Sequence, residues 1–98
     1  MKNISIKDFQ EVVESGQDIN VVDVRPRELY EAGHIPGAKH IPLSTVEDNL
    51  DQFNKNEHYY MICHDGKGSA KATEILTKEG FDVTNVEEGV PAYGGDLE

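Results

Sequence analysis

The feature that most limits the fold is an alternation along the chain. Short β-branched or aromatic runs, Ile19-Asn20-Val21-Val22-Asp23-Val24, His58-Tyr59-Tyr60-Met61-Ile62 and Phe81-Asp82-Val83-Thr84-Asn85-Val86, are separated by stretches of helical spacing. A short apolar run of this kind suits a strand covered on both faces. Strands with helices between them need crossover connections, which gives an α/β domain with a mainly parallel sheet and helices on both faces. The 98 residues, 37% of them apolar, fit one small domain over residues 1–98 with a single core.

The intervening segments are legible in the same terms. Ser5 caps a predicted helix with Phe9, Val12 and Val13 at helical spacing, and Gly16 ends it. Arg25-Pro26 breaks the first run, and Arg27 to Ala32 reads as a short helical turn closed by Gly33. His34 to Ala38 is a loop by its Pro and Gly content, followed by a very short strand, Lys39-His40-Ile41. Ser44 with Glu47 three residues on fits a capping box for a helix that packs Val46, Leu50 and Phe53. Ser69 to Glu79 reads as a helix with Ala72, Ile75 and Leu76 inward, a Glu74–Lys78 pair outside, and Gly80 as its stop. The tail from Glu87 holds one helical turn near Pro91.

Charge narrows the function. With 19 acidic against 9 basic residues, the formal charge is -10. Nucleic acid and anionic membranes both require basic surfaces, so neither is an expected partner. No apolar run approaches the ~20 residues of a bilayer span. The opening residues lack a signal-peptide pattern, so the cytosol is the expected location. The one cysteine, Cys63, excludes an intrachain disulfide and a Cys-rich zinc site. Four scattered histidines do not form a metal-ligand spacing, and nothing calls for a cofactor.

In parallel sheets ligands sit at the carboxyl ends of the strands. Here those ends carry Asp23 and Arg25 after one strand and Cys63 after another. The segment Cys63-His64-Asp65-Gly66-Lys67-Gly68 reads as a tight loop, with a helix starting at Ser69. Gly66 and Gly68 permit positive φ and close backbone approach. Such a loop turns several amide N–H groups inward as an anion-binding nest, and the helix adds its positive end. A thiolate there is stabilised, with Lys67 and His64 as further candidates to favour it. The plainer reading is a buried structural thiol.

The sequence resembles the rhodanese-like domain family over nearly its whole length. Val21-Val22-Asp23-Val24-Arg25 is similar to the family's "DVR" strand end. Glu28 to Ala38 is similar to its "E-x-(F/Y)-x-x-G-H-I-P-G-A" segment, and Tyr59 to Cys63 with the Gly-containing turn to its active-site loop. Val86 to Tyr93 resembles the closing "leGG-x-x-a-W", with Tyr93 at the Trp position. The resemblance implies a five-stranded parallel sheet flanked by helices and sulfurtransferase chemistry. Cys63 would take a sulfane sulfur from thiosulfate or a persulfide and pass it to cyanide or a thiol, a protein thiol included. With no second cysteine, the acceptor comes from outside these residues. The family usually reads C-x-x-G-x-R-S, but here Gly68 stands at the Arg position and the nearest cation is Lys67. Arg offers a planar fork to an oxyanion and Lys only a point charge, so weak thiosulfate turnover is expected.

Cys63 is thus the expected catalytic residue, with His64, Asp65, Gly66, Lys67, Gly68 and Ser69 as its anion-binding loop and Asp23 and Arg25 as loop support. His34 reads as a loop-fixing hydrogen-bonder, His40 and His58 as ordinary residues, and Tyr59, Tyr60 and Phe81 as core. Tyr93 is a candidate for the pocket entrance. Two other readings stand beside the enzyme: a non-catalytic sulfur carrier or interaction module, favoured by the Gly68 departure, and a Cys-based phosphatase or arsenate reductase. The last requires an Arg six residues after the Cys, where this chain has Ser69.

Overall fold

The computed structural model describes residues 1–98. Five strands form one sheet: β1 (Lys2–Ile4), β2 (Asn20–Asp23), β3 (Lys39–His40), β4 (His58–Ile62) and β5 (Asp82–Val86). Their order is β1-β5-β4-β2-β3, and every pairing is parallel. The α-helices are α1 (Ile6–Glu14), α2 (Arg27–Ala32) and α3 (Lys67–Lys78). Two 3-10 segments, Leu43–Gln52 and Val90–Ala92, complete the molecule.

Strand periodicity divides the core in two. Along β4, Tyr59, Met61 and then Cys63 face one way, into a cluster with Val22, Val83, Val46, Phe53, Ala72 and Leu76. Tyr60 and Ile62 face the other way, toward Ile6, Phe9, Val21, Val86 and Val90. Helix α3 and the Leu43–Gln52 segment therefore cover one face, and α1, α2 and the Val90–Ala92 turn cover the other. Leu76 is fully buried, and burial of a side chain of that size contributes about 1.5–3 kcal/mol.

Several boundaries differ from the sequence reading. β1 is an edge strand that three short residues, Lys-Asn-Ile, could not announce. Ser5 does cap α1, its hydroxyl accepting from Asp8 N–H at 3.1 Å. The Ser44–Glu47 capping box does not form. The segment is 3-10 with Pro42 in the cap position and a kink at Asn49, and Thr45 Oγ1 donates to the Pro42 carbonyl at 2.9 Å. Helix α3 starts at Lys67, two residues before the expected Ser69. The turn is therefore shorter than anticipated. Gly66 is left-handed with φ +86°, while Gly68 lies in the first turn of the helix and has no positive φ. Phe81 lies just outside β5.

Candidate active site

The carboxyl ends of β2 and β4 lie side by side, Asp23 in register with Ile62. Val24 N–H continues the pairing, donating to the Ile62 carbonyl at 3.0 Å. One residue past β4, the pleat turns Cys63 toward α3. Its side chain is only 5% exposed. It nevertheless lines a cavity of about 510 Å³ together with Val24, Arg25, Pro42, Leu43 and Gly68. A second cavity of about 320 Å³, beside Asn20, Glu57 and Tyr59, contains no cysteine.

Two groups of the turn and one of α3 approach the sulfur. Gly66 N–H donates to Sγ at 3.0 Å, the thiol donates to Ser69 Oγ at 3.2 Å, and Asp65 Oδ1 stands 3.8 Å away. The nest of several amides expected from the sequence thus reduces to one amide on the sulfur. The Lys67 N–H is taken by Asp65 Oδ1 at 2.9 Å. That bond chiefly holds the Asp65 carboxyl below its ordinary range, so the turn carries a negative charge beside the sulfur at neutral pH. The N–H of Gly68, in the first turn of α3 and at the cavity lining, has no backbone acceptor and is open to an incoming anion.

The other expected residues fall as follows. His64 and Lys67 are exposed, and no ion pair engages the Lys67 ammonium. Gly68 sits against the sulfur: a Cβ there would lie 3.8 Å from Sγ and 3.6 Å from Leu43 Cδ2, ordinary contact distances. Ser69 is fully buried and gives its own proton to Asn85 Oδ1 at 2.6 Å. Asp23 and Arg25 form a buried pair, NH2 to Oδ2 at 2.8 Å. Their hydrogen bonds brace a different loop from the expected one: Arg25 donates to the Gly33 carbonyl at 2.7 Å, and neither side chain bonds to residues 63–68. Across the cavity Arg25 forms a wall, with its guanidinium committed elsewhere.

His34 Nδ1 lies 2.9 Å from the Tyr30 carbonyl and its ring stacks on Tyr30, a loop-fixing role. Tyr93 is buried in the other core beside Phe9 and does not line the Cys63 cavity. The sequence reading missed Leu43 and Pro42, which form the cavity wall opposite Cys63, and Asn85. Asn85 carried a usable signal, a polar side chain inside the apolar run of β5.

Behind the turn, Gly89 (φ +75°) presses on the loop backbone. A Cβ at Gly89 would lie 2.1 Å from the His64 carbonyl oxygen, so only glycine fits there.

This arrangement defines an all-parallel α/β domain with its one cysteine sulfur at the end of a central strand, facing a helix N-terminus across the floor of a cavity. The rhodanese-like domain model matches residues 5–96, and the chain belongs to that family. It is 42% identical over 96 residues to the Bacillus subtilis protein named "Putative sulfur carrier protein YrkF", covering 97% of this chain and 52% of that one. The chain thus spans about half of YrkF. It is 31% identical to "Putative sulfurtransferase YtwF" of Bacillus subtilis, covering 98% of this chain and 93% of that one. A rhodanese-like domain protein from Staphylococcus aureus superimposes with TM-score 0.92 at 44% identity, covering 100% of this chain and 97% of that structure. SSP1007 of Staphylococcus saprophyticus gives TM-score 0.94 at 38% identity, covering 100% and 99%. No helix is long and apolar enough to cross a membrane.

Proposed function

We propose that the protein is a sulfurtransferase that works through a persulfide on Cys63. The observation that carries this reading is the sulfur itself, at the floor of an open cavity with the Gly66 amide on it and the free Gly68 amide at the adjoining helix start. In the first step the Cys63 thiolate attacks the outer sulfur of a donor R–S–SH. The S–S bond of the donor breaks, R–S⁻ leaves, and Cys63–S–SH forms. In the second step an acceptor thiolate, or cyanide, attacks the outer sulfur and the Cys63 thiolate is released. Both steps conserve electrons, so no oxidant is needed. The free Gly68 amide next to the outer sulfur stabilises the persulfide anion.

The cavity favours a donor of low charge. Val24, Pro26, Pro42 and Leu43 give it apolar walls, Arg25 is tied to Asp23, and the Asp65 carboxylate repels a dianion. A small-molecule persulfide suits these walls better than thiosulfate, and the acceptor is a thiol from outside these residues. The non-catalytic carrier reading shares the first step and lacks rapid turnover.

Intact-mass measurement after incubation with a persulfide donor tests the proposal. The expected product is heavier by about 32 Da, the mass of one sulfur atom by the step above, and is absent from Cys63→Ser. Release of that mass by added thiol at a catalytic rate distinguishes enzyme from carrier. An unmodified chain at donor excess would refute the reading.

A further inference from the structure

A row of polar side chains runs from the sulfur to the far edge of the sheet. The Cys63 thiol donates to Ser69 Oγ at 3.2 Å, and Ser69 Oγ–H donates to Asn85 Oδ1 at 2.6 Å. Asn85 Nδ2 then donates to Asn3 Oδ1 at 3.1 Å. The fold places these groups together. Asn3 and Asn85 are register partners on β1 and β5, and α3 holds Ser69, fully buried, against them. Asn85 is 4% exposed, in a strand position where an apolar side chain would pack as well. Only its bonds to Ser69 and Asn3 use its polarity.

A serine hydroxyl has one proton to give. In this arrangement Asn85 takes it, so Ser69 can meet the sulfur only as an acceptor, and an acceptor suits the thiol. A thiolate or persulfide anion needs the opposite, a donor. Both amides can turn, so that Asn3 Nδ2 donates to Asn85 Oδ1, Asn85 Nδ2 donates to Ser69 Oγ, and the hydroxyl proton swings onto the sulfur. No atom is gained or lost in this reversal, and the whole row changes direction.

We infer that Asn85 is a positioning residue which, through Ser69, decides whether the sulfur of Cys63 meets a hydrogen-bond acceptor or a donor, with Asn3 setting the sense of the row. The inference rests on the persulfide reading for its purpose. Its physical content, control of the charge state of the thiol, stands independently of any sulfur donor.

The test is the pH profile of Cys63 alkylation by iodoacetamide, followed by intact mass. Asn85→Leu removes the competing acceptor and frees the Ser69 proton for sulfur. The midpoint should fall by about one pH unit, the size of one hydrogen bond to a charged group. In a Ser69→Ala background the same Asn85→Leu change should produce no shift. Asn3→Ala, on the exposed edge strand, should lower the midpoint by a smaller amount, and it serves as the reading if Asn85→Leu does not fold. The charged groups around the sulfur are untouched in all of these variants: His64, Asp65 and Lys67 in and beside the turn, Asp23 with Arg25 across the cavity, and Glu87 and Glu88 behind Gly66. An unmoved midpoint in the folded variants, or an Asn85→Leu shift that persists without the Ser69 hydroxyl, overturns the inference. Alkylation uses no sulfur donor, so failure here and failure of persulfide loading are separate results.

Discussion

Adjacent strands β2 and β4 end at the same edge of the sheet, yet their ends are built on opposite principles. At the end of β2, Asp23 accepts from the Arg25 backbone and guanidinium, Arg25 donates on to Gly33, and both charges are buried and satisfied. At the end of β4, Cys63 has one backbone donor, a serine whose proton goes elsewhere, and an open cavity above it. The first end has its polar groups matched internally and is stable for that reason. The second leaves hydrogen-bonding capacity unused, and that unused capacity is what a substrate can occupy. A charged residue near a reactive group is therefore not automatically part of its chemistry; its existing bonds decide.

The largest effect that would sharpen this contrast is on stability. Asp23→Ala leaves the Arg25 guanidinium buried without its counterion and should destabilise the domain by about 3–5 kcal/mol. Urea unfolding measures it, and Cys63→Ser, changed at the open end, should stay within about 1 kcal/mol of wild type. Equal losses at the two sites would erase the distinction.

Next in size is a gain at the open end. A Cβ at position 68 meets only ordinary contacts, so Gly68→Arg is accommodated and brings a guanidinium to the sulfur that Arg25 cannot supply. Thiosulfate turnover should rise about tenfold, the effect of ~1.4 kcal/mol from a charge-assisted contact. Steady-state rates with thiosulfate and with a persulfide donor check this, and much faster thiosulfate turnover by the wild type would refute the low-charge preference. A smaller gain is expected behind the turn. Glu88 has φ +72°, a left-handed conformation that costs a side-chain-bearing residue energy. Glu88→Gly should stabilise by about 1 kcal/mol, read from the shift in urea midpoint.

The smallest effect lies at the opposite end of β4. His58 Nε2 bonds Thr84 Oγ1 at 2.7 Å, and burial, the larger influence, lowers its pKa against the opposing pull of Asp82. The folded state therefore binds this proton less readily than the unfolded chain, whose imidazole titrates at its ordinary value of 6.5. Its contribution to stability is fully present above that value and is lost as pH falls toward the lower folded value. Melting temperatures between pH 7.5 and 5.5 should decline, and His58→Gln should flatten the decline. An unchanged slope in the variant would remove His58 as the cause.

How much of this could be read from the residues depends on the range of the interactions. The alternation of strands and helices, the position of Cys63 at a strand end and the cap at Ser5 are local, and the sequence displays them directly. The family resemblance supplied the fifth strand, which Lys2–Ile4 are too few to signal. Long-range bonds were hidden. Nothing local says that Arg25 spends its guanidinium on Gly33, that Asp65 captures the Lys67 amide, or that Asn85 reaches Ser69 from another strand. The capping box at Ser44 failed because Pro42 already fixes the entry to that segment, which is 3-10 over its whole length.

Gly89 limits how the cavity beside Cys63 can change shape. Its α-carbon stands flush behind the His64 carbonyl, so the turn that carries the sulfur has no slack on that side. Any yielding to accommodate a larger ligand must come from the facing wall of Pro42, Leu43 and Ser44. The aperture is adjustable from one jaw only, and exchanging Leu43 would resize it while leaving every bond to the sulfur in place.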